Sequence, residues 1–462
     1  MDDTVCDATI GHNAARLARR ELSAVELAEA TCARIARLEP RLAAHAAHRA
    51  EAVLAQAAAA DRRLAAGEGG PLCGIPIGLK DIIAAADWPT GVGSVVLDGW
   101  RPGGDATVAA RLRAAGAVIT GKHRTTEAAC GAHHPALPAP LNPWRAEAWT
   151  GVSSSGSGVA VAAGLAGGAF GSDTGGSIRF PAHCCGVVGL KPSWGRVSRH
   201  GVFPLAESLD HVGPFARSVV DCALLYAAVA GHDADDPSTL DDAVEPWSAT
   251  TADVRSLRIG LDEALLAEDL APPVAAMLAH AVAILREAGA MLVTVQVPRL
   301  GEAVTDWLNL CAAEAVTAHA ATFPARRDDY GPALRALLDY GRGLDAATLA
   351  HAAAARADFR VRHAAIFEDV DLYLSPTFDR PTPSAEEAAR LMRGDGLRRF
   401  VAFTAPANLC GNPTLSLPAA LDADGVPLGF QLVGRHGAEA ALFTAGLACE
   451  RGLGWTARPR LP

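Results

Sequence analysis

The run G-S-D-T-G-G-S-I-R-F-P, residues 171–181, decides how the rest of this chain is read. Its paired glycines, Gly175 and Gly176, suit neither a helix nor a strand interior, because glycine loses the most backbone freedom on ordering. They suit a tight turn whose successive backbone N–H groups converge on one negative oxygen. Ser177 follows directly. A serine beside such a hole is placed for acyl transfer, in which charge develops on the carbonyl oxygen, and the glycines would let that carbonyl approach without a Cβ in the way. Thr174, Gly175, Gly176 and Ser177 are the candidate donors. A serine alone is a weak nucleophile at neutral pH, so Ser177 needs a proton acceptor.

Two stretches upstream offer one. G-V-S-S-S-G-S-G, residues 151–158, is a second glycine-serine turn, with Ser153 placed 24 residues before Ser177. P-L-C-G-I-P-I-G-L-K-D, residues 71–81, alternates Ile75, Ile77 and Leu79 as a short strand and ends on Lys80. A lysine there can be desolvated, which lowers its pKa and frees the neutral amine as a base. Lys80, Ser153 and Ser177 therefore read as a proton relay, although a buried lysine is also commonly an ion-pair partner. The 151–158 turn is not a phosphate loop, since no Lys-Ser or Lys-Thr follows its last glycine. Ser155 also breaks the G-x-S-x-G elbow.

Composition narrows the class. The 462 residues carry a net charge of −10 without like-charge runs, and 5% are aromatic. Neither fits a nucleic-acid surface, which needs clustered cations or stacking platforms. The N-terminus M-D-D-T-V-C-D is no secretory signal, and the most apolar run, 159–170, is glycine-broken and too short to span a bilayer. Ten scattered cysteines without C-x-x-C read as reduced core residues of a cytoplasmic protein. His133-His134 and His183-Cys184-Cys185 lack ligand spacing, so no metal and no cofactor is expected. Asp210-His211 would supply a Ser-His-Asp arrangement on composition alone.

Apolar periodicity places helices at 14–38 (a pair or one broken helix, with a Ser23/Glu26 capping box), 43–66, 107–115, 219–231, 270–289, much of 301–369, and 438–451. Strands fall at 75–79, 116–120, 256–261, 291–297 and 371–377, with a pair formed by P-T-L-S-L-P and G-F-Q-L-V-G near the end. Between 150 and 218 the chain turns to glycine and serine, and long loops of that kind are usually functional. Alternating strands and helices mean an α/β sheet.

These stretches together resemble the amidase signature family. The resemblance runs through G-I-P-I-G-L-K-D (74–81), A-G-A-V-I-T-G-K (115–122), L-N-P-W (141–144), the 171–182 core, G-L-K-P-S-W-G-R-V-S (189–198), P-L-A-E-S-L-D-H-V-G-P (204–214), G-N-P-T-L-S-L-P (411–418) and G-V-P-L-G-F-Q-L-V-G (425–434). It is weakest from about 240 to 395. It implies one compact α/β domain over 1–462 with a central mixed β-sheet flanked by helices. Residues 1–70 would be N-terminal helices, 71–235 the catalytic core, 240–395 a helical region covering the pocket, and 396–462 strands and a helix returning to the core.

It also implies a Ser–cis-Ser–Lys triad: nucleophile Ser177, bridging Ser153 at or beside a cis peptide bond, base Lys80, and an oxyanion hole at Thr174–Ser177. Val152 and Ser155 stand where the family loop has glycines while all three catalytic positions are kept, so the difference bears on substrate shape and not on activity; G-K-H-R-T-T-E-A (121–128) also departs from the family segment, and both departures count against the amidotransferase alternative. The candidate substrate contacts are Ser154 and Arg179, the latter as a carboxylate clamp or as a salt-bridge brace to Asp173. Lys191 and Asp210 read as structural. The expected reaction is hydrolysis of a small-molecule amide. The alternatives are a carbamate or ester hydrolase, an amidotransferase component working with a partner chain, and a silent binding protein. No nucleic-acid or membrane partner is expected, and a homodimer is compatible with the sequence.

Overall fold

A computed structural model describes residues 4–97, 100–266, 270–301, 303–394 and 396–461. The acidic start at residues 1–3 lies outside them. Among the described residues eleven strands form one mixed sheet. They are β1 (His45–His48), β2 (Pro76–Lys80), β3 (Val118–His123), β4 (Gly168–Asp173), β5 (Val188–Lys191), β6 (His211–Ala216), β7 (Arg258–Leu261), β8 (Met291–Thr294), β9 (Leu372–Pro376), β10 (Thr414–Leu421) and β11 (Pro427–Gly434). Their spatial order is β1-β3-β2-β4-β6-β5-β10-β11-β9-β7-β8.

β2 runs parallel to both β3 and β4, with Leu79 opposite Phe170. Parallel neighbours end on the same side, so the C-terminal ends of β2 and β4 meet, which is where ligands bind in open α/β sheets. Lys80 is the last residue of β2, and Ser172 and Asp173 close β4. Phe170, Phe215 and Phe430 are fully buried within the sheet's core. Truncating one of them to alanine would cost about 3–5 kcal/mol.

The Ser23/Glu26 capping box is present and starts the helix Ala24–Leu42, separate from the helix Ile10–Ala18. The alanine-rich segment 43–66 is not one helix. Ala43 ends the preceding helix at φ 47°, His45–His48 pairs antiparallel with β3, and helix resumes at Ala50. Pairing with a sheet edge overrides the helix propensity of alanine here. The strand expected at 291–297 is shorter, at Met291–Thr294. The 150–218 region is likewise more ordered than its glycine content suggests. It holds β4, β5 and β6 and the helices Ser155–Ala162 and Arg179–Cys185. Its small residues permit close packing: a Cβ on Gly171 would stand 2.6 Å from the Ser154 hydroxyl.

Among the described residues no helix is long and apolar enough to cross a membrane. Among the described residues no disulfide is formed.

Candidate active site

Lys80 is fully buried at the end of β2. Its Nζ lies 2.6 Å from Ser153 Oγ and 2.8 Å from Ser172 Oγ. Burial pulls the ammonium down to about 7, against the opposing charges of Asp210 and Asp173. At neutral pH a large share of the amine therefore carries a free lone pair.

Ser153 follows a cis peptide bond from Val152. Its carbonyl accepts the Thr126 N–H at 3.2 Å, tying the loop to the segment after β3. The next residue joins both loops. The Ser154 N–H donates to the Ser177 carbonyl at 3.3 Å, and its hydroxyl donates to the Ser172 carbonyl at 3.1 Å while accepting the Ser172 N–H at 3.2 Å. The Ser154 side chain is therefore spent on β4. The substrate contact expected of it is corrected to a strut between the two serine loops.

In the stretch 171–181, Gly175 and Ser177 are half-buried and every other residue is buried. The site opens at these two positions. Among the described residues the Ser177 hydroxyl has no hydrogen-bond partner. The N–H groups of Thr174, Gly175 and Ser177 are likewise not committed to an internal acceptor. Gly176 differs, because its N–H donates to Asp173 Oδ1 at 2.8 Å. Of the four expected donors, three are thus free of an internal acceptor.

The reason for the glycines also changes. A Cβ on Gly175 would lie 2.4 Å from Trp307 Cζ2. Gly176 sits at φ 131°, and its Cβ would lie 2.4 Å from Phe180 Cε2. Protein rings fill the space that the sequence suggests is left for a carbonyl. Trp307 Nε1 donates to the Thr174 carbonyl at 3.0 Å, and Thr404 Oγ1 to the Gly175 carbonyl at 2.6 Å, so the turn is held from outside.

Arg179 is the brace and not the clamp. Its Nε and one Nη2 N–H pair with Asp173 at 3.0 and 2.9 Å. The rest go to Asn408 Oδ1 at 2.6 Å, the Thr404 carbonyl at 2.8 Å and Gln431 Oε1 at 3.4 Å. All five N–H donors are occupied and both partners are fully buried, so none is left for a substrate carboxylate. Burial alone would raise the Asp173 carboxyl. The guanidinium more than offsets this and holds it well below the usual carboxylate range. The charged Asp173 in turn fixes the N–H groups of Gly176 and Ile178.

His211 makes no triad with Asp210. Its Nδ1 faces the carbonyls of Leu209 (2.7 Å) and Asp173 (3.2 Å), and burial lowers its pKa far below the usual value. His133 Nε2 lies 3.1 Å from Ser155 Oγ, and burial draws its pKa to about 4. His134 Nε2 meets the Asp329 carbonyl at 3.1 Å.

Sequence reasoning missed Ser172, Asn408, Thr404 and Trp307. Ser172 had a faint signal as a hydroxyl closing an apolar strand. Asn408 had one as a lone polar residue in P-A-N-L. The other two are brought in by packing that no local pattern records.

Residues 26–443 match the model of the Amidase family. The chain is 44% identical over 441 residues to AmiD, a protein assigned as an amidase in Mycobacterium tuberculosis (strain H37Rv), covering 95% of this chain and 93% of that one. It is 38% identical over 478 residues to a glutamyl-tRNA(Gln) amidotransferase subunit of Geobacter metallireducens, covering 97% and 98%. The structure of a 6-aminohexanoate cyclic dimer hydrolase with its substrate superposes with a TM-score of 0.88 at 29% identity, covering 98% of this chain and 99% of that one. On this match, and on a mixed α/β sheet shared along nearly its whole length, the chain belongs to the amidase signature family.

Proposed function

We propose that this protein hydrolyses a carbon–nitrogen amide bond of a small molecule through an acyl-enzyme on Ser177. The observation that carries the reading is the fully buried Lys80 amine, 2.6 Å from the Ser153 hydroxyl and with its pKa drawn to about 7. In the first half-reaction Ser177 Oγ attacks the carbonyl carbon. Its proton passes to Ser153, whose own proton passes to the Lys80 lone pair. The oxyanion is met by the N–H groups of Thr174, Gly175 and Ser177. As the intermediate collapses, Lys80 returns the proton through Ser153 to the leaving nitrogen, and the C–N bond breaks. Water then attacks the ester and gives one proton to Ser177 Oγ by the same relay. The products are a carboxylic acid and an amine, and Lys80 ends neutral as it began.

The same relay would serve a carbamate or an ester. The test is release of aniline from matched anilides and aryl carbamates, with short, aryl and carboxylate-bearing acyl groups, and with Ser177→Ala as the blank. Turnover of amides that the blank lacks supports the reading; turnover of carbamates or esters alone replaces it with the alternative. A second reading is favoured by the 38% identity to the Geobacter amidotransferase component, which its name makes one part of a larger enzyme. Co-purification of a second chain from the native host, with amide hydrolysis only in the complex, would select it.

A further inference from the structure

A cavity lies beside one of the two serines that hold Lys80. Ser172, the other partner of the Lys80 amine, is on its wall, and neither Ser153 nor Ser177 is. The cavity measures about 480 Å³ and is also lined by Asp210 and Arg199, with Glu207 and Asp236 farther along. Its polar lining and size allow it to hold water.

Asp210 is the distinctive group there. One carboxylate oxygen accepts the Thr174 hydroxyl at 2.5 Å, and the other accepts the N–H groups of Leu205 (2.9 Å) and Ala206 (3.1 Å). All three donors are neutral, and among the described residues no cation pairs with it at contact. Asp173, the other carboxylate acting on Lys80, is tied bidentately to Arg179. Arg199 acts on Asp210 from the same cavity wall without an ion pair, so Asp210 is the less fully compensated of the two carboxylates acting on Lys80.

We propose that Asp210 is a positioning residue for acyl transfer, the counter-charge that steadies Lys80 while it holds the proton taken from Ser177, and that it couples the lysine to the oxyanion turn through the Thr174 hydroxyl. The proposal rests on the Lys80–Ser153–Ser177 reading. When Ser177 attacks, a negative charge forms on the carbonyl oxygen and a positive one on Lys80. Separating them inside a buried site is unfavourable unless each meets a fixed partner. The turn meets the first. Asp210 meets the second through its charge, without a hydrogen bond to Lys80 or Ser153. The same charge favours the ammonium in the resting enzyme, so Asp210 also sets the pH at which the lysine becomes a base.

The groups acting on Lys80 are Asp173, Asp210 and, held neutral, His133. Those near Asp210 are Arg199, Glu207, the buried Cys311 thiol and neutral His211. Burial raises the Asp210 carboxyl to about 6, so it is still largely ionised at pH 7.

The test is the rate at which a fluorophosphonate labels Ser177, measured from pH 5.5 to 9.5. This needs no knowledge of the substrate. Wild type should show an acid limb that is absent in Lys80→Ala. If Lys80→Ala labels like wild type, the relay falls and the proposal with it. Given a wild-type limb, Asp210→Asn should move it to lower pH and cut the high-pH plateau at least tenfold, because the ammonium is destabilised in the resting and the reacting enzyme alike. Asp210→Glu should keep the limb in place. A purely structural role would lower the plateau without moving the limb, and that result, or an unchanged plateau, overturns the proposal while leaving the relay intact. Should Asp210→Asn fail to fold, Thr174→Val decides. The Thr174 hydroxyl is the hydrogen bond that does most to keep the Asp210 carboxyl charged, so its loss raises that carboxyl and weakens the counter-charge, and the limb should move to lower pH as the plateau falls. A limb that stays in place in Thr174→Val overturns the proposal.

Discussion

Replacing Arg179 with methionine separates the brace from the clamp. The substitution keeps much of the side-chain volume and removes a guanidinium whose five N–H groups are all engaged in a fully buried site. Removing one partner of a buried ion pair typically costs about 3–5 kcal/mol, because the other charge is left uncompensated. The lower end applies here. Asp173 keeps the N–H groups of Gly176 and Ile178 and the amide of Asn408. Lys191 lies nearby and also favours the charged Asp173.

We therefore expect a loss of about 3 kcal/mol, read from urea unfolding followed by tryptophan fluorescence and far-UV circular dichroism. Fluorophosphonate labelling should fall sharply in the fraction still folded, since Asp173 no longer fixes the turn through Gly176. A clamp would behave otherwise. Stability and labelling would match wild type, and only KM for carboxylate-bearing substrates would rise. That outcome would refute the brace.

Gly175→Ala should destabilise by about 1–3 kcal/mol through overpacking against Trp307, and Trp307→Phe in the same chain should recover part of it, because Cζ2 is gone; unfolding curves of the single and double variants check this. Alkaline stability should be governed by thiols. The buried Lys80, Lys122 and Lys191 have folded pKa values below their unfolded ones, so each adds stability as pH rises toward 10. Nine cysteines have folded values raised by burial, so each contribution is complete below about 8.5 and is lost as pH climbs past it. Nine outweigh three, and the urea midpoint measured in reductant should fall from pH 8.5 to 10; a rise over that interval would contradict the burial of the thiols. Ser23→Ala should cost about 1 kcal/mol by removing the capping box, measured in the same way.

The site was legible in the sequence wherever chemistry leaves a local mark. Lys80 at the end of an apolar alternation, and two serines in glycine-rich turns, declare themselves by residue type and neighbours. What holds them was not legible, because it depends on register and packing between distant segments. Ser172 faces Lys80 only because β2 and β4 are parallel neighbours. Gly175 and Gly176 look like space for a substrate until Trp307 and Phe180 are seen to fill it. Arg179 reads equally well as clamp or brace until Asn408, Thr404 and Gln431, more than 200 residues away, take its remaining donors. The β1 strand was hidden by alanine, whose helix propensity gave way to an open sheet edge.

The central claim is that a neutral Lys80, acting through Ser153, makes Ser177 nucleophilic. The pH dependence of Ser177 phosphonylation in wild type and Lys80→Ala tests it most directly. Because the free amine is the active form, the wild-type rate should rise with pH through a midpoint near 7 and then level off. Lys80→Ala should lose that limb together with at least a hundredfold of the plateau rate. A wild-type rate without a limb near 7, or a Lys80→Ala protein labelled as fast as wild type, would contradict the account.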